Sequence, residues 1–367
     1  MGPDHLAVYL SNSCNLACSY CYVSVNQGPP VHLSIDALKR SIDYFLEKVD
    51  GPSKKITFLG GEPFLNWPLF QDIAVYAREK GGPGIILQTF TNGTLMSAER
   101  LEFLERYEVH TTISLDGRKG TNDKHRTYFK NTQRSVFDDV ISKIKDLPKD
   151  NLGVSLVFTH DTIGDFLGNV DYFYKMGFWR ITFNPELYDV WPEEKLEIMR
   201  AQLRGLTRYY RLILEKNMRP FQIQILYSIM ENAGKNKAGL KWWHDCHNVV
   251  LGPEGQFYAC DKPLALPIGA AKDQQVGNAG AGMDWDRRGA QYKEAIDYIQ
   301  ERGWGKDETF CPMGVYFYAK EAGKDPEPML KNFHRVADVF AEGLLELVSE
   351  LEAHPVFQDI YVNARVV

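Results

Sequence analysis

Short apolar runs alternate with amphipathic segments over residues 5–216. The apolar runs have the length and composition of β-strands, whereas the segments between them repeat apolar residues every three or four positions, as α-helices do. The predicted strands are 5–10, 55–59, 85–90, 110–115, 153–159 and 180–183. The predicted helices are 33–49, 68–80, a segment after Ser97, 135–147, 164–175 and 193–216. This alternation predicts an α/β fold with a parallel sheet.

The rest of the chain predicts a smaller second unit. Apolar runs at 248–251 and 256–259 flank the sequence Gly-Pro-Glu-Gly, which predicts a β-hairpin because such turns reverse the chain. Apolar residues at helical spacing over 330–351 predict a C-terminal helix that packs on one of the two units. We therefore expect three parts, namely 1–217, 218–322 and 323–367.

Composition and charge narrow the functional class. The chain has 367 residues, 44% of them apolar, which is enough for a sizeable core in two or three domains. Its net charge of −6 comes from interspersed charges, so nucleic acid is not an expected partner. No apolar run approaches the roughly twenty residues that span a membrane, and the N-terminus does not read as a secretory signal. We expect a cytoplasmic protein without a membrane partner.

Six cysteines fall into two groups. The first group has the spacing CxxxCxxC, and the second is spread over a longer stretch: Cys14, Cys18 and Cys21, then Cys246, Cys260 and Cys311. Disulfides are disfavoured in a reducing cytosol. Thiolates gathered on one loop favour an iron–sulfur cluster or zinc, and no nearby Cys or His completes a four-ligand zinc site for the first group. Three thiolates on a four-iron cluster leave one iron open to another ligand.

The first cysteine group, with Tyr20 before its last member and Gly-Gly-Glu-Pro at 60–63 after a predicted strand, resembles the radical S-adenosylmethionine (SAM) enzymes. The resemblance implies a partial (β/α)6 barrel. It also implies a [4Fe-4S] cluster held by Cys14, Cys18 and Cys21, whose open iron binds SAM. An electron from a donor such as flavodoxin or ferredoxin then cleaves SAM to a 5′-deoxyadenosyl radical, which takes a hydrogen atom from substrate.

The same resemblance implies a SAM site at the carboxyl ends of the strands, where parallel α/β barrels bind ligands. The run 114–126 resembles the peptide-modifying and sulfatase-maturing subgroup, in which a serine holds the SAM ribose and carboxylate and an arginine contacts the carboxylate. The glycine-rich element holds the methionine amino group. The residues assigned to cofactor binding are Tyr20, Gly60, Gly61, Glu62, Pro63, Thr91, Asn92, Ser114, Asp116 and Arg126. Several of them also fit ordinary polar loops and turns.

The second cysteine group resembles the twitch and SPASM extensions of this family. Gly255 lies five positions before Cys260, and Val-Gly-Asn at 276–278 matches a second short motif. Because only Cys311 follows, the resemblance is to the shorter twitch form, a small α+β domain with one auxiliary [4Fe-4S] cluster. The fourth ligand stays open among His244, Asp245, His247, Asp261 and the substrate. Alternatively, the three cysteines are small buried apolar residues.

These patterns predict a radical SAM enzyme whose auxiliary cluster supports oxidation or cross-linking. The run 114–126 favours a ribosomally made peptide as substrate. Only thirteen residues precede Cys14, so we expect either a separate leader-peptide-binding protein or a small-molecule substrate. The hypothesis of another class is a non-catalytic iron–sulfur electron carrier or sensor, which needs no amino-acid cradle at 60–63. The sequence assigns no catalytic base.

Overall fold

One sheet runs through the whole molecule. The computed structural model describes residues 4–23, 25–48, 54–237, 246, 248–304 and 310–363. Within them the strands are β1 His5–Tyr9, β2 Lys54–Leu59, β3 Ile85–Thr91, β4 Val109–Ser114, β5 Leu152–Phe158, β6 Arg180–Pro185, β7 Gln222–Ile223, β8 Asn248–Leu251, β9 Gln256–Tyr258, β10 Gln275–Asn278 and β11 Gly282–Met283. Their order in the sheet is β11-β10-β9-β8-β1-β2-β3-β4-β5-β6-β7. The strands from β8 through β1 to β7 pair in parallel, and β8 to β11 pair antiparallel.

Helices connect the parallel strands and continue after them. They are α1 Ile35–Lys48, α2 Trp67–Gly81, α3 Ala98–Arg106, α4 Lys119–His125, α5 Val136–Ile144, α6 Phe166–Lys175, α7 Glu193–Glu215, α8 Gln224–Lys237, α9 Trp285–Glu301, α10 Met313–Glu321, α11 Pro326–Leu351 and α12 Pro355–Gln358. Several begin at a side-chain cap that the sequence supplies. Ser34 accepts a hydrogen bond from Ala37 N at 3.2 Å, and Ser97 caps α3 in the same way.

Alternation along the central strands separates two faces of the sheet. In β3 and β4 every second residue is buried, and the buried set, which includes Leu87 and Ile113, belongs to the main core with the surrounding helices. The intervening half-buried residues, among them Thr112 and Ser114, lie on the opposite face, here called the inner face. The predicted α/β fold with a parallel sheet is confirmed, and the polar inner face ends at the edge where the cysteine loop begins.

The second cysteine unit extends the first sheet instead of forming a separate one. β8 pairs in parallel with β1, from His5 opposite Asn248 to Val8 opposite Leu251. The predicted hairpin is confirmed, and its turn closes through Gly255 N, which donates to Gly252 O at 3.0 Å. The periodicity gave no prediction for β7, α4, α8, α9 or α10. The domain boundaries after residues 217 and 322 stay predictions.

The C-terminal helix packs on the barrel side, as predicted. α11 contacts α7 along its length, and Phe340 lies edge-on to Phe158 with 5.7 Å between ring centroids. A Cβ on Gly343 would lie 2.5 Å from Leu203 Cδ1, so the two helices approach closely at this glycine. Among the described residues, no helix combines the length and the apolar character that crossing a membrane requires.

Candidate functional site

The first cysteine loop leaves the carboxyl end of β1 and is held from both sides by backbone hydrogen bonds. On one side, Gly61 N and Glu62 N each donate at 2.8 Å, to Ser11 O and Ser13 O. On the other side, Ala17 N and Ser19 N donate to the carbonyls of Thr127 and His125 at 2.8 and 3.0 Å. The loop conformation is therefore set by the segment after β2 and by the segment after α4.

Both glycines of the Gly-Gly-Glu-Pro element are required by this close approach. A Cβ on Gly61 would lie 2.0 Å from Ser13 O and 2.9 Å from Cys14 N, and one on Gly60 would lie 2.7 Å from Ser11 O. Gly60 also has φ of +142°, which disfavours any other residue. We predicted close backbone approach here, and the structure shows it toward the cysteine loop. An approach by a methionine amino group stays a prediction.

Glu62 ties this element to the end of β3. Its side chain is 2% exposed, and one oxygen accepts from Thr91 Oγ1 at 2.7 Å and from Phe64 N at 3.1 Å. The other oxygen accepts from Asn92 N at 2.7 Å. Burial raises the pKa of Glu62, and these donors oppose the rise. Glu62 thus fixes two loops relative to each other, and the Thr91 hydroxyl is committed to it. Pro63 follows at the start of a short 3₁₀ helix, Pro63–Asn66.

The three thiols of the first group differ in exposure, since Cys14 and Cys18 are half-buried and Cys21 is exposed. Burial raises the pKa of Cys14, raises that of Cys18 to about 11, and raises that of Cys21. Leu16 N lies 3.3 Å from Cys14 Sγ, and Val23 N gives Cys21 the same kind of i+2 backbone contact. The backbone is thus arranged to donate to thiolates, but burial opposes their charge. A bound metal centre supplies the positive charge that deprotonates such thiols.

A buried network of Tyr20, Asp116 and Arg126 lies beside Cys18. Arg126 Nη2 is 3.0 Å from Asp116 Oδ1, which also accepts from Val157 N at 3.0 Å, and the Tyr20 hydroxyl donates to the other oxygen. Burial disfavours the Arg126 charge, but Asp116, Tyr20 and Cys18 together outweigh it and the pKa of Arg126 is raised. Arg126 Nη1 lies 3.9 Å from Cys18 Sγ. Within the described part of the chain, the buried Nε of Arg126 has no hydrogen-bond partner.

That free donor suits an anionic ligand beside the thiols. A buried N–H without a partner is costly, and a carboxylate is the acceptor that guanidinium groups bind most strongly. Ser114, at the end of β4 opposite Ser155, is half-buried on the inner face. Asn92 Nδ2 donates to Asn15 Oδ1 at 2.8 Å and lies 3.8 Å from Cys14 Sγ. All ten residues assigned to SAM by resemblance thus surround the first cysteine loop or the strand ends below it.

The second group of thiols also comes together. Burial and then the charge of Asp261 raise the pKa of the Cys260 thiol, to which Cys311 adds a smaller contribution. Burial and then Cys246 raise the pKa of Cys311. Cys311 precedes α10, and the N–H groups of Met313 and Gly314 oppose its rise in pKa. Arg288 donates to Cys246 O at 2.8 Å and so anchors that residue to α9.

The structure describes one of the four side chains that the sequence offers as a fourth ligand for the second cysteine group. The proposed fourth ligands His244, Asp245 and His247 lie outside the described residues. Asp261 is described, and Cys260 Sγ lies 3.5 Å from its Oδ1. Within the described ranges, no three His, Cys, Asp or Glu side chains lie close enough to hold a single metal ion.

Three side chains that the sequence did not single out, Tyr9, Tyr22 and Lys262, join the two cysteine groups. Tyr22, which follows Cys21, lies 3.0 Å from Tyr9 through the two hydroxyl groups, and Tyr9 donates to Asp261 at 3.3 Å. Lys262 Nζ lies 3.2 Å from Asp261 and 4.1 Å from the centre of the Tyr22 ring. Burial raises the pKa of Tyr188, after β6, and the charge of Lys262 opposes the rise. Tyr22 directly follows Cys21 and Asp261 directly follows Cys260, but only the pairing of β1 with β8 reveals that the two segments meet.

Three comparisons with known proteins bear on this site. The family model of the Radical SAM superfamily matches residues 8–173. An uncharacterized protein of Methanocaldococcus jannaschii is 31% identical over 50% of this chain and 63% of its own length. The serine-type anaerobic sulfatase-maturating enzyme of Klebsiella aerogenes is 24% identical over 71% of this chain and 67% of its own. The antilisterial bacteriocin subtilosin biosynthesis protein AlbA of Bacillus subtilis is 28% identical over 45% and 40%.

The solved structure of native anSMEcpe with bound AdoMet superposes with a TM-score of 0.71 at 16% identity, covering 95% of this chain and 99% of that one. This likeness concerns the fold. The curated relatives are covered less completely, since the matched regions span 40 to 67% of the three proteins named above.

Proposed function

We propose that this chain, in which residues 8–173 form a radical SAM domain, is an enzyme that cleaves SAM reductively and oxidises or cross-links a peptide. The observation that carries the proposal is the contact between the two cysteine segments: Lys262, two residues after Cys260, lies over the ring of Tyr22, which directly follows Cys21, and β8 pairs with β1. A non-catalytic electron carrier or sensor needs no amino-acid cradle such as the element at 60–63.

The residues of the first group hold the cluster and orient SAM. Cys14, Cys18 and Cys21 bind a [4Fe-4S] cluster, which when bound supplies the electron that cleaves SAM to methionine and a 5′-deoxyadenosyl radical. Arg126 offers its free Nε to the methionine carboxylate, and Asp116 keeps the guanidinium in place. The backbone at Gly60 and Gly61 receives the amino group, and Ser114 contacts the ribose.

The second group holds an auxiliary cluster near the reacting substrate. Cys246, Cys260 and Cys311 are its thiolate ligands, and backbone N–H groups that donate to Cys260 and Cys311 favour the thiolate form of these two. An iron–sulfur cluster held there would supply an acceptor for the electron left on a substrate radical, which would make the net reaction an oxidation or bond formation. Lys262 and Tyr22, which contact each other, and Tyr188, after β6, are the first candidates for substrate contact.

The peptide substrate is supported by the kinds of relatives that match. Sulfatase maturation and bacteriocin biosynthesis are the activities that two of them carry in their names. The inner face also carries the amide of Gln88 and the hydroxyls of Thr112 and Ser114, which suit the polar backbone of a peptide substrate. A small metabolite as substrate is the competing outcome of the test below.

The test is to load the protein anaerobically with iron and sulfide, reduce it, and measure 5′-deoxyadenosine with and without candidate precursor peptides. We expect about eight irons per chain, falling to about four in the C246A/C260A/C311A variant, as two four-iron clusters require. We expect one 5′-deoxyadenosine per modified peptide. Stoichiometric release with a metabolite, and none with any peptide, would overturn the peptide assignment.

A further inference from the structure

A cavity of about 640 Å³ lies on the side of the first cysteine loop where Cys14 is found. Its walls come from the start of that loop, from the segment after Cys21, and from the segment after α4. The lining includes Cys14, Leu65, Phe129, Lys130 and Arg134. The cavity therefore gives access to Cys14 from the protein surface. None of the residues of the Arg126 network, Tyr20, Asp116 and Arg126, lines it.

The rim of this cavity carries exposed apolar side chains. Phe129 is 48% exposed and Leu65 is 43% exposed, and few other large apolar residues of the described chain are as open to solvent. The exposure of Phe129 is imposed by the fold, because its backbone N–H donates to Asn15 O at 2.9 Å and so fixes the segment against the cysteine loop. Two exposed apolar residues around a cavity indicate a binding surface.

The charge of the cavity is opposite to that of the chain. Lys130 and Arg134 line it, and none of the described residues that line it is acidic, although the chain carries a net charge of −6. Arg134 shares its charge with Asp139 and lies 4.8 Å above the Tyr128 ring, whereas Lys130 is exposed. An acidic partner is repelled by the net charge of the chain and attracted by Lys130 at this cavity, which steers its encounter.

We propose that Leu65, Phe129, Lys130 and Arg134, here called the Phe129 surface, dock the one-electron donor of this enzyme, a small acidic carrier protein. The inference rests on the proposed function. One electron passes from the reduced carrier to the centre held by Cys14, Cys18 and Cys21, and no bond forms or breaks. The contact is transient and salt-sensitive, because electron-transfer interfaces are small and are assembled by charge.

The test uses flavodoxin as the carrier and the double variant F129E/K130E. The matched control is M218E/K216E, in which an exposed apolar residue and a lysine beside α7 receive the same charges. Binding is followed by the line broadening of ¹⁵N-labelled flavodoxin, and electron transfer by the stopped-flow oxidation of flavodoxin hydroquinone. We expect F129E/K130E to weaken binding and slow the transfer at least tenfold, with M218E/K216E near wild type.

Dithionite reduces the protein without a docking surface. It therefore separates a failure of the docking inference from a failure of the proposed function. The inference holds if F129E/K130E cleaves SAM normally with dithionite and poorly with flavodoxin. It is overturned if both double variants respond alike to flavodoxin. If F129E/K130E folds poorly, the single variant K130E, at an exposed position, must still lower the flavodoxin rate and its dependence on salt. Wild-type protein that never cleaves SAM with dithionite refutes the proposed function instead.

Discussion

The guanidinium of Arg126 and the carboxylate of Asp116 form an ion pair 3.0 Å apart in which both side chains are almost fully buried. Such a pair is costly to assemble, since both charges leave water. Here Asp116 is satisfied by three donors, whereas Arg126 keeps one buried N–H free beside Cys18. The asymmetry indicates that the pair presents a cation to a ligand as well as stabilising the fold.

Replacing Arg126 by glutamine should weaken SAM binding at least tenfold, which is about 1.4 kcal/mol, because a charge-assisted contact is lost. The measurement is equilibrium dialysis of SAM against anaerobic, iron-loaded protein. The control is R134Q, an exposed arginine on the same segment. Equal affinities in both variants, at equal iron content, would remove Arg126 from the SAM site.

Replacing Gly61 by alanine should abolish the cluster proposed for the first cysteine group. The new Cβ collides with the backbone of Ser13 and Cys14 and displaces the cysteine loop. Iron analysis should show about half the wild-type content, since the second cysteine group lies outside this contact. The control is G120A, in α4, where a Cβ meets nothing within 4 Å. Full iron content in G61A would contradict the close packing of the two loops.

Replacing Lys262 by methionine should slow substrate oxidation more than tenfold while SAM cleavage without substrate is unchanged. The stem of Lys262 passes Gly314 and its ammonium reaches Asp261 and Tyr22, between the two cysteine groups. Parallel assays of 5′-deoxyadenosine and of modified peptide separate the two effects. K324M, at an exposed position, is the control. A parallel loss of both activities would place Lys262 in the fold and not beside the substrate.

Acid should destabilise the protein through His5. Burial, and then the charge of Lys55, lower the pKa of His5 to about 3, while its ring nitrogens bond Asn248 and Thr57. The unfolded chain takes up this proton below about pH 6.5, so stability is lost as pH falls from there toward the folded pKa. Between pH 7.5 and 5.5 the loss is about 1 kcal/mol.

Urea unfolding of wild-type protein and H5Q at the two pH values measures this contribution. The wild type should lose more stability than H5Q over the interval. An identical pH dependence in the two proteins would show that His5 is protonated in the folded state or that its neighbours relax around it.

The periodic part of the fold was predictable from sequence because local pattern determines it. The six predicted strands and the long helices such as Glu193–Glu215 are confirmed to within a few residues. The two-residue strand β7 and the seven-residue helix α4 were missed, since neither is long enough to show a period. Helix α10 was missed for another reason, because its residues are buried on all sides and so show little amphipathic pattern.

The part of the site whose residues lie close together in sequence was predictable. The contacts between residues that are far apart in sequence were not. The spacing of Cys14, Cys18 and Cys21 and the glycines at 60–61 indicated the first group directly. The sheet places Tyr9 and Tyr22 against Asp261, and this contact depends on the parallel pairing of β1 with β8, more than two hundred residues apart. No local pattern carries that information.

The central claim is that the first cysteine loop holds a centre that cleaves SAM. The most direct measurement is the yield of 5′-deoxyadenosine and methionine from SAM in anaerobic, iron-loaded protein reduced with dithionite, compared with the C14A/C18A/C21A variant. We predict both products in equal amounts from the wild type and none from the variant. Intact SAM after full reduction of an iron-loaded protein, or equal yields from the two proteins, would contradict the account.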